Sequence, residues 1–423
     1  MLKFTRIAHP DIVLASANLV WLGCERLTQI GVAILISGLL ARALGPDAFG
    51  KWQYANTLLR VLAPLTWVCG AEILVPTILQ CTPVELGAVL GSAFALRFSV
   101  SVIALALTWS GITVGLVDPL VGSMLAGLAL TLVLREPFVG VINAWLQSMT
   151  YSKPQLIASI FAALGKALLV WLLMRAAATP ASYGWLWALE ASVIALAMML
   201  YYQRRHGGRL GWRVEAPLFR HLASTGTVFW IGLFCMYLFL RLDRLMLERH
   251  VSFAELGRYA AAQQLNEHWI TLALLLAQTI APTFVYRVSE LPRLRHNIWC
   301  LIAMTGALMI AGTTVLDLLA PVIIDRVFGP GYEQSVSIFR WAVWLSVLAG
   351  VEAIGNLVLL KFQAKFVLLA KWLLALAVAA SANTIAIPAL GFYGALIGLA
   401  AGYLAAAAVN FTYIRWCPIG VVA

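Results

Sequence analysis

Apolar runs long enough to cross a membrane recur from one end of this 423-residue chain to the other, joined by short connectors. A helix needs about 20 such residues to span a bilayer, because every backbone polar group in hydrocarbon must be satisfied within the segment. About twelve runs can be counted, near 12–40, 52–80, 86–110, 114–149, 154–176, 181–203, 219–247, 256–287, 296–327, 335–362, 366–387 and 391–416. Only 11% of residues are charged, against roughly 25% in a soluble domain. Strand-length alternation is absent, which argues against a membrane barrel. The chain reads as an all-α integral membrane protein. Its first run continues to Leu40 without a small-x-small cleavage pattern, so a retained first helix is expected rather than a leader. Pro137 interrupts the fourth run and predicts a kink there.

The net charge of +11 does not point to nucleic acid. The basic residues sit mostly in the connectors, where they act as a topology signal. With the N-terminus placed inside, the inner connectors hold Lys3, Arg6, Lys153, Arg204, Arg205, Arg209, Arg213, Arg287, Arg293, Arg295, Lys361, Lys365 and Arg415. The outer ones hold Arg42, Lys51, Arg175, Arg249, Arg258 and Arg326. That imbalance places both termini in the cytoplasm. The longest and most basic connector, QRRHGGRLGWRVEAPLFR from Gln203 to Arg220, lies at mid-chain. It divides the chain into a six-helix lobe over 1–203, a linker over 204–220 and a second lobe over 221–423.

An internal repeat supports that division. With Gly50 laid on Gly257, AFGKWQYA (Ala48 to Ala55) lies over ELGRYAAA (Glu255 to Ala262), and Arg42 over Arg249. Farther on, VPTI at Val75 to Ile78 meets APTF at Ala281 to Phe284 after a one-residue slip. Six helices per half give both halves the same orientation. The repeat is therefore parallel, about a pseudo-two-fold axis along the membrane normal, and a substrate site is expected near mid-depth between the halves. In the first copy, LGPDAFG (Leu44 to Gly50) predicts a tight turn, with Pro46 in the first turn of the next helix.

Three stretches carry a family resemblance: ARALGPDAFGKW (Ala41 to Trp52), LAPVIIDRVFGPGYEQSV (Leu319 to Val336) and NTIAIPALGFYGA (Asn383 to Ala395). In this order they resemble the polysaccharide (O-antigen type) flippases of the multidrug/oligosaccharidyl-lipid/polysaccharide exporter superfamily. The resemblance implies alternating access. It also implies movement of a polyprenyl-pyrophosphate-linked oligosaccharide from the cytoplasmic to the outer leaflet of a bacterial inner membrane, for surface polysaccharide biosynthesis. The implied partners are membrane lipid, that substrate and other polysaccharide assembly proteins. Many members have 14 helices where this chain has about twelve runs.

Charges at membrane depth are costly and mark functional positions by default. Counting about 1.5 Å per helical residue places Arg60 and Arg97 near mid-depth, with Glu25 and Arg26 also well inside. Lys166 and Glu190 fall centrally in their helices, and so do Glu267, His268 and Glu352. Arg241, Asp243 and Arg244 occupy the outer half of theirs. Arg26, Arg60 and Arg97 are expected to line the first lobe's cavity and hold a pyrophosphate, since a guanidinium fork suits phosphate oxygens. Glu25 and Arg241 join that cavity set. Asp243, Glu267 and Glu352 are expected to gate the cleft or couple to a cation. The competing reading is internal ion pairing, Lys166 with Glu190 or Asp243 with its flanking arginines.

No HExxH, GxSxG or P-loop pattern occurs, so enzymatic activity is not expected. A glycan polymerase or ligase would need a sizeable outer domain, and every outer connector is short. A cation or drug exporter of the same superfamily is the other transporter reading. The six cysteines are widely spaced, so neither disulfides nor a metal is expected, and no cofactor.

Overall fold

The computed structural model describes residues 9–82, 84–151, 153–206 and 211–416; the side chains of residues 9–27, Leu276 and Gln278 lie outside the description. All regular structure among the described residues is helical. Thirteen α-helices follow one another: α1 (His9–Leu62), α2 (Ala71–Gln80), α3 (Leu86–Thr113), α4 (Pro119–Leu134), α5 (Val141–Ser148), α6 (Lys153–Arg175), α7 (Pro180–Arg205), α8 (Ala216–Leu247), α9 (Phe253–Ala281), α10 (Leu291–Val327), α11 (Gln334–Lys361), α12 (Lys365–Leu390) and α13 (Phe392–Trp416). Eleven stretches are long and apolar enough to cross a membrane. The first of them, Thr28–Gln80, divides in two at Gly45, so the described chain makes twelve crossings.

Gly45 breaks α1 with φ 69° and ψ 170°, a left-handed conformation open to glycine at little cost. Pro46 begins the next limb, where its missing amide hydrogen loses no bond. Ser37 Oγ and Gln53 Nε2, eight residues to either side of Gly45, both donate to Gln264 Oε1, at 2.6 and 2.9 Å. In a straight helix their positions would stand about 24 Å apart, so the two limbs fold back as a hairpin. The expected turn over Leu44 to Gly50 thus shrinks to one residue, because Pro46 starts the helix at once.

The second limb is not the continuous helix expected over 52–80. A 3₁₀ turn at Ala63–Trp67 ends it, Cys69 takes φ 60°, and α2 starts anew at Ala71. Irregular backbone at this depth is tolerated only where it is buried in protein or lines a polar cavity. The interruption expected at Pro137 is a π-helical turn, Arg135–Gly140, between α4 and α5.

The repeat is visible as contact. Gly50 and Gly257 meet face to face. A Cβ built on Gly50 would overlap the Phe253 carbonyl, and one on Gly257 would overlap the Pro46 carbonyl. The basic residue after each glycine fastens its turn to the corresponding later loop. Lys51 Nζ lies 3.4 Å from Asp118, at the start of α4, and Arg258 Nε donates to the Gly331 carbonyl at 3.0 Å, before α11.

The two bundles share one apolar core at the Gly45 end. There Phe49 packs on Phe328 and Tyr332, and Leu256, Tyr259 and Ile338 are fully buried in the same cluster. Toward the other end the core splits into a cluster for the first bundle and two for the second. Helix α8 leans on both bundles: Trp230 Nε1 donates to the Pro64 carbonyl at 2.7 Å, whereas Phe239 packs on Trp372 and Tyr403. Trp52 and Tyr183 are buried in the shared core, while Trp185 is half exposed.

Candidate functional site

Where the lobes part, the first bundle encloses a polar chamber of about 820 Å³. It runs from mid-depth toward the face at which α13 ends. Its charged lining is Arg60, Arg97, Arg135, Glu72, Glu136 and Glu190, with Trp67, Trp187 and Tyr237 as aromatic walls. The breaks in the two helices shape it. The unwound stretch after Trp67 frees the carbonyls of Val68 and Cys69. Arg97, in α3, donates to them from Nε at 3.2 Å and Nη2 at 2.6 Å. Its Nη1 lies 3.6 Å from the Glu136 carboxylate, and the side chain is 3% exposed. A Cβ at Gly140 would collide with that guanidinium. Arg97 is therefore committed to the chamber wall. Beyond the break, α2 points its N-terminal residues Ala71 and Glu72 at the chamber, and half-helix N-termini at mid-depth favour anions.

The π turn brings a cation that sequence reasoning missed. Arg135 and Glu136 enter the chamber together, and Glu136 turns to Arg97. Arg135 is exposed and makes no hydrogen bond or ion pair among the described residues. Arg60 is exposed to the chamber as well, and it too has no such partner among them. Both arginines lie within electrostatic reach of Lys166. Lys166 Nζ bonds Glu190 at 2.5 Å and sits 4.4 Å over the Trp187 ring. Three cations thus converge on a region where Glu190 already serves one of them.

On the second bundle's side, Arg241 grips Glu267 through both carboxylate oxygens, and Arg244 Nη2 bonds the same carboxylate at 2.6 Å. Arg60 is within electrostatic reach of all three groups. Glu267 is also the repeat counterpart of Arg60 under the Gly50–Gly257 alignment. Asp243, 2% exposed, accepts from the Tyr259 hydroxyl at 2.6 Å. It is not paired with its flanking arginines, which Glu267 has taken.

The structure thus gathers Arg60, Arg241 and Glu267 at the lobe boundary, with Arg97 in the wall behind Arg60 and Asp243 buried beside Tyr259. Glu352 stands apart, within the second bundle. Lys371 Nζ, fully buried, bonds Glu352 at 2.6 Å and Asn356 at 2.6 Å, and Asn410 Nδ2 donates to the Glu352 carbonyl at 3.0 Å. The side chains of Glu25 and Arg26 lie outside the described residues. Lys371 escaped the sequence reading because it follows Lys361 and Lys365 closely and counts as a helix-end charge. Arg135 had one signal, the Arg-Glu-Pro step inside an apolar run, which marks a helix interruption carrying charge at depth.

No family model matches the chain, and no curated protein sequence does. Solved structures do. A multidrug resistance MATE family transporter of the MOP superfamily, in its inward-facing conformation, superposes with a TM-score of 0.75 at 14% identity, covering 91% of this chain and 94% of that one. The lipid II flippase MurJ, in an inward closed conformation, gives 0.73 at 10% identity, covering 95% and 87%. An outward-facing MATE family transporter gives 0.64 at 15% identity, covering 94% of each chain. At these identities the common property is architecture: this chain has the twelve-helix, two-bundle fold of the MATE and MurJ transporters.

Proposed function

We propose that the protein is a transporter that flips a polyprenyl-pyrophosphate-linked oligosaccharide across the membrane by alternating access, from the cytoplasmic to the outer leaflet, for surface polysaccharide biosynthesis. The observation that carries this reading is a pair of arginines, Arg60 and Arg135, that make no hydrogen bond or ion pair among the described residues, in a chamber sealed at one end. Pairing accounts for Arg97 with Glu136, Lys166 with Glu190, and Arg241 and Arg244 with Glu267. Among the described residues that line the chamber two guanidiniums remain, each shaped for bidentate bonds to a phosphate. The helix start at Ala71 adds its positive end. Trp67 and Trp187 offer faces for sugar rings, and the fold is shared with a lipid II flippase. In this reading the protein lies in a bacterial inner membrane with both termini in the cytoplasm, and it works beside other polysaccharide assembly proteins. Asp243 and Glu267 belong to gating or ion coupling, the role also expected of Glu352, whose pairing with Lys371 inside the second bundle favours a structural part instead. Arg26 and Glu25 complete the cavity set.

The test is reconstitution into vesicles with a short-chain polyprenyl pyrophosphate oligosaccharide. Arg60→Gln and Arg135→Gln should each slow transfer between leaflets by about tenfold or more, the value of one charge-assisted hydrogen bond. Arg60→Lys should retain part of the rate. Unchanged transfer in both glutamine variants rejects the reading. One observation favours a cation or drug exporter instead: Glu72 lines the chamber, is exposed, and has no hydrogen bond or ion pair among the described residues. Uptake of an organic cation that Glu72→Gln abolishes, without transfer of the glycolipid, would establish that reading.

A further inference from the structure

A second cavity lies far from the chamber, in a groove between the first turns of α10 and the last turn of α13. Its volume is about 460 Å³. Helix α10 enters the apolar region just after Leu291, and α13 leaves it at Trp416. The groove therefore sits at the depth of lipid headgroups. Arg295 and Arg415 supply its charge, and no carboxylate is among its described lining residues. Arg295 Nη2 donates to the Arg415 carbonyl at 3.0 Å, which holds the guanidinium against the end of α13. Its Nε is buried with no hydrogen-bond partner among the described residues. A buried donor of that kind calls for an acceptor.

The rest of the groove is aromatic. Trp299 stacks on Phe411, with centroids 5.3 Å apart and planes 29° apart, and Arg415 lies 6.0 Å from the Trp416 ring. Trp299 and Trp416 remain largely exposed. Below the groove, α10 presents an exposed apolar stripe, Cys300, Met304, Leu308, Ala311 and Val315, at helical spacing toward the bilayer. A pair of arginines, an aromatic floor at headgroup depth and an apolar track leading inward fit an amphiphile with an anionic head.

We propose that this groove is a binding site for one anionic phospholipid, with its phosphate between Arg295 and Arg415 and an acyl chain along α10. The two guanidiniums, with no carboxylate among the described lining residues, attract a headgroup whose net charge is negative and repel the choline cation of a zwitterionic one. Trp299 and Trp416 hold the glycerol region, as interfacial tryptophans do. The site is independent of what the chamber carries, so it stands or falls separately from transport.

Native mass spectrometry of the full-length protein in detergent tests it, with phosphatidylglycerol, phosphatidylcholine and inorganic phosphate as probes. The parent should retain phosphatidylglycerol over phosphatidylcholine by about thirtyfold, the attraction expected of two basic residues at an anionic headgroup. Arg415→Gln should lower that preference by about fivefold. This variant keeps the backbone carbonyl that Arg295 uses, so the groove stays intact. Arg295→Gln/Arg415→Gln should remove the preference. A double variant as selective as the parent overturns the assignment. So does inorganic phosphate that competes with the lipid at equal concentration, because the groove would then be a free-anion site.

Discussion

Lys371 shows how single residues divide between holding the bundle together and serving the chamber. Its ammonium has no exposure and is compensated by Glu352, with Asn356 and Asn410 completing the network. Lys371→Met would leave a carboxylate uncompensated in the second bundle. The expected cost is about 3–5 kcal/mol, read as a large fall in the thermal unfolding midpoint in detergent. Lys371→Met/Glu352→Gln should recover most of it, because replacing both partners removes the uncompensated charge. A neutral single variant would show that the pair carries no charge. Arg60 and Arg135 are the contrast: having no hydrogen bond or ion pair among the described residues, they predict a small stability effect and a large effect on the proposed transfer. Depth along a helix can be counted from the sequence, and that count singled out Arg60, Arg97, Glu267 and Glu352 as charges inside long apolar runs. Partnership was not legible. Arg97 is occupied by the Val68 and Cys69 carbonyls, which become available only because a neighbouring helix unwinds.

At the scale of elements, the α1 hairpin and the start of α9 form the seal. Further contacts tie the bundles there besides the paired glycines. Gln264 accepts from Ser37 and Gln53, Tyr332 donates to the Ala41 carbonyl at 3.2 Å, Arg42 donates to the Arg326 carbonyl at 2.5 Å, and Tyr54 packs on Phe253. Gly50 sets how closely the two helices approach. Gly50→Ala puts a methyl group into the Phe253 carbonyl, and overpacking of this kind costs about 1–3 kcal/mol. Only the sealed state bears that cost, so the balance should shift toward opening at this end by about tenfold. Ser37→Cys, buried in the parent seal, should then react about tenfold faster with a membrane-impermeant maleimide than it does without Gly50→Ala. Equal labelling rates would mean that the glycine pair does not control the seal. Leu44 to Gly50 drew attention in the sequence through its Pro and Gly, and its echo at Glu255 to Tyr259 marked a repeat. That the two copies touch was not readable, because face-to-face packing of glycines leaves no pattern of apolar residues.

For the whole molecule, a shared core at one end and divided cores at the other define how the lobes can move. The Gly50–Gly257 contact, close to the pseudo-two-fold axis, must separate if the chamber is to open at the sealed end. The Trp230–Pro64 bond and the edge-to-face contact of Trp67 with Tyr237, which tie α8 to the first bundle, lie on the other side of mid-depth and can close further. Rigid rocking therefore predicts opposite distance changes at the two faces. Spin labels at Leu116 and Pro330 report the sealed face, and labels at Val84 and Arg293 the open one; all four residues are exposed. A lobe about 40 Å tall that rotates by about 15° carries its rim through roughly 5–10 Å. On addition of substrate the Leu116–Pro330 distance should lengthen by about that amount while the Val84–Arg293 distance shortens. A pair within one lobe, Val84 with Leu116, should hold constant, since each bundle keeps its own core. If only one face moves, or the within-lobe distance changes as much as the others, the bundles do not rock as units. The chamber would then have to open through local unwinding at the breaks after Leu62 and Leu134, where its backbone is already irregular.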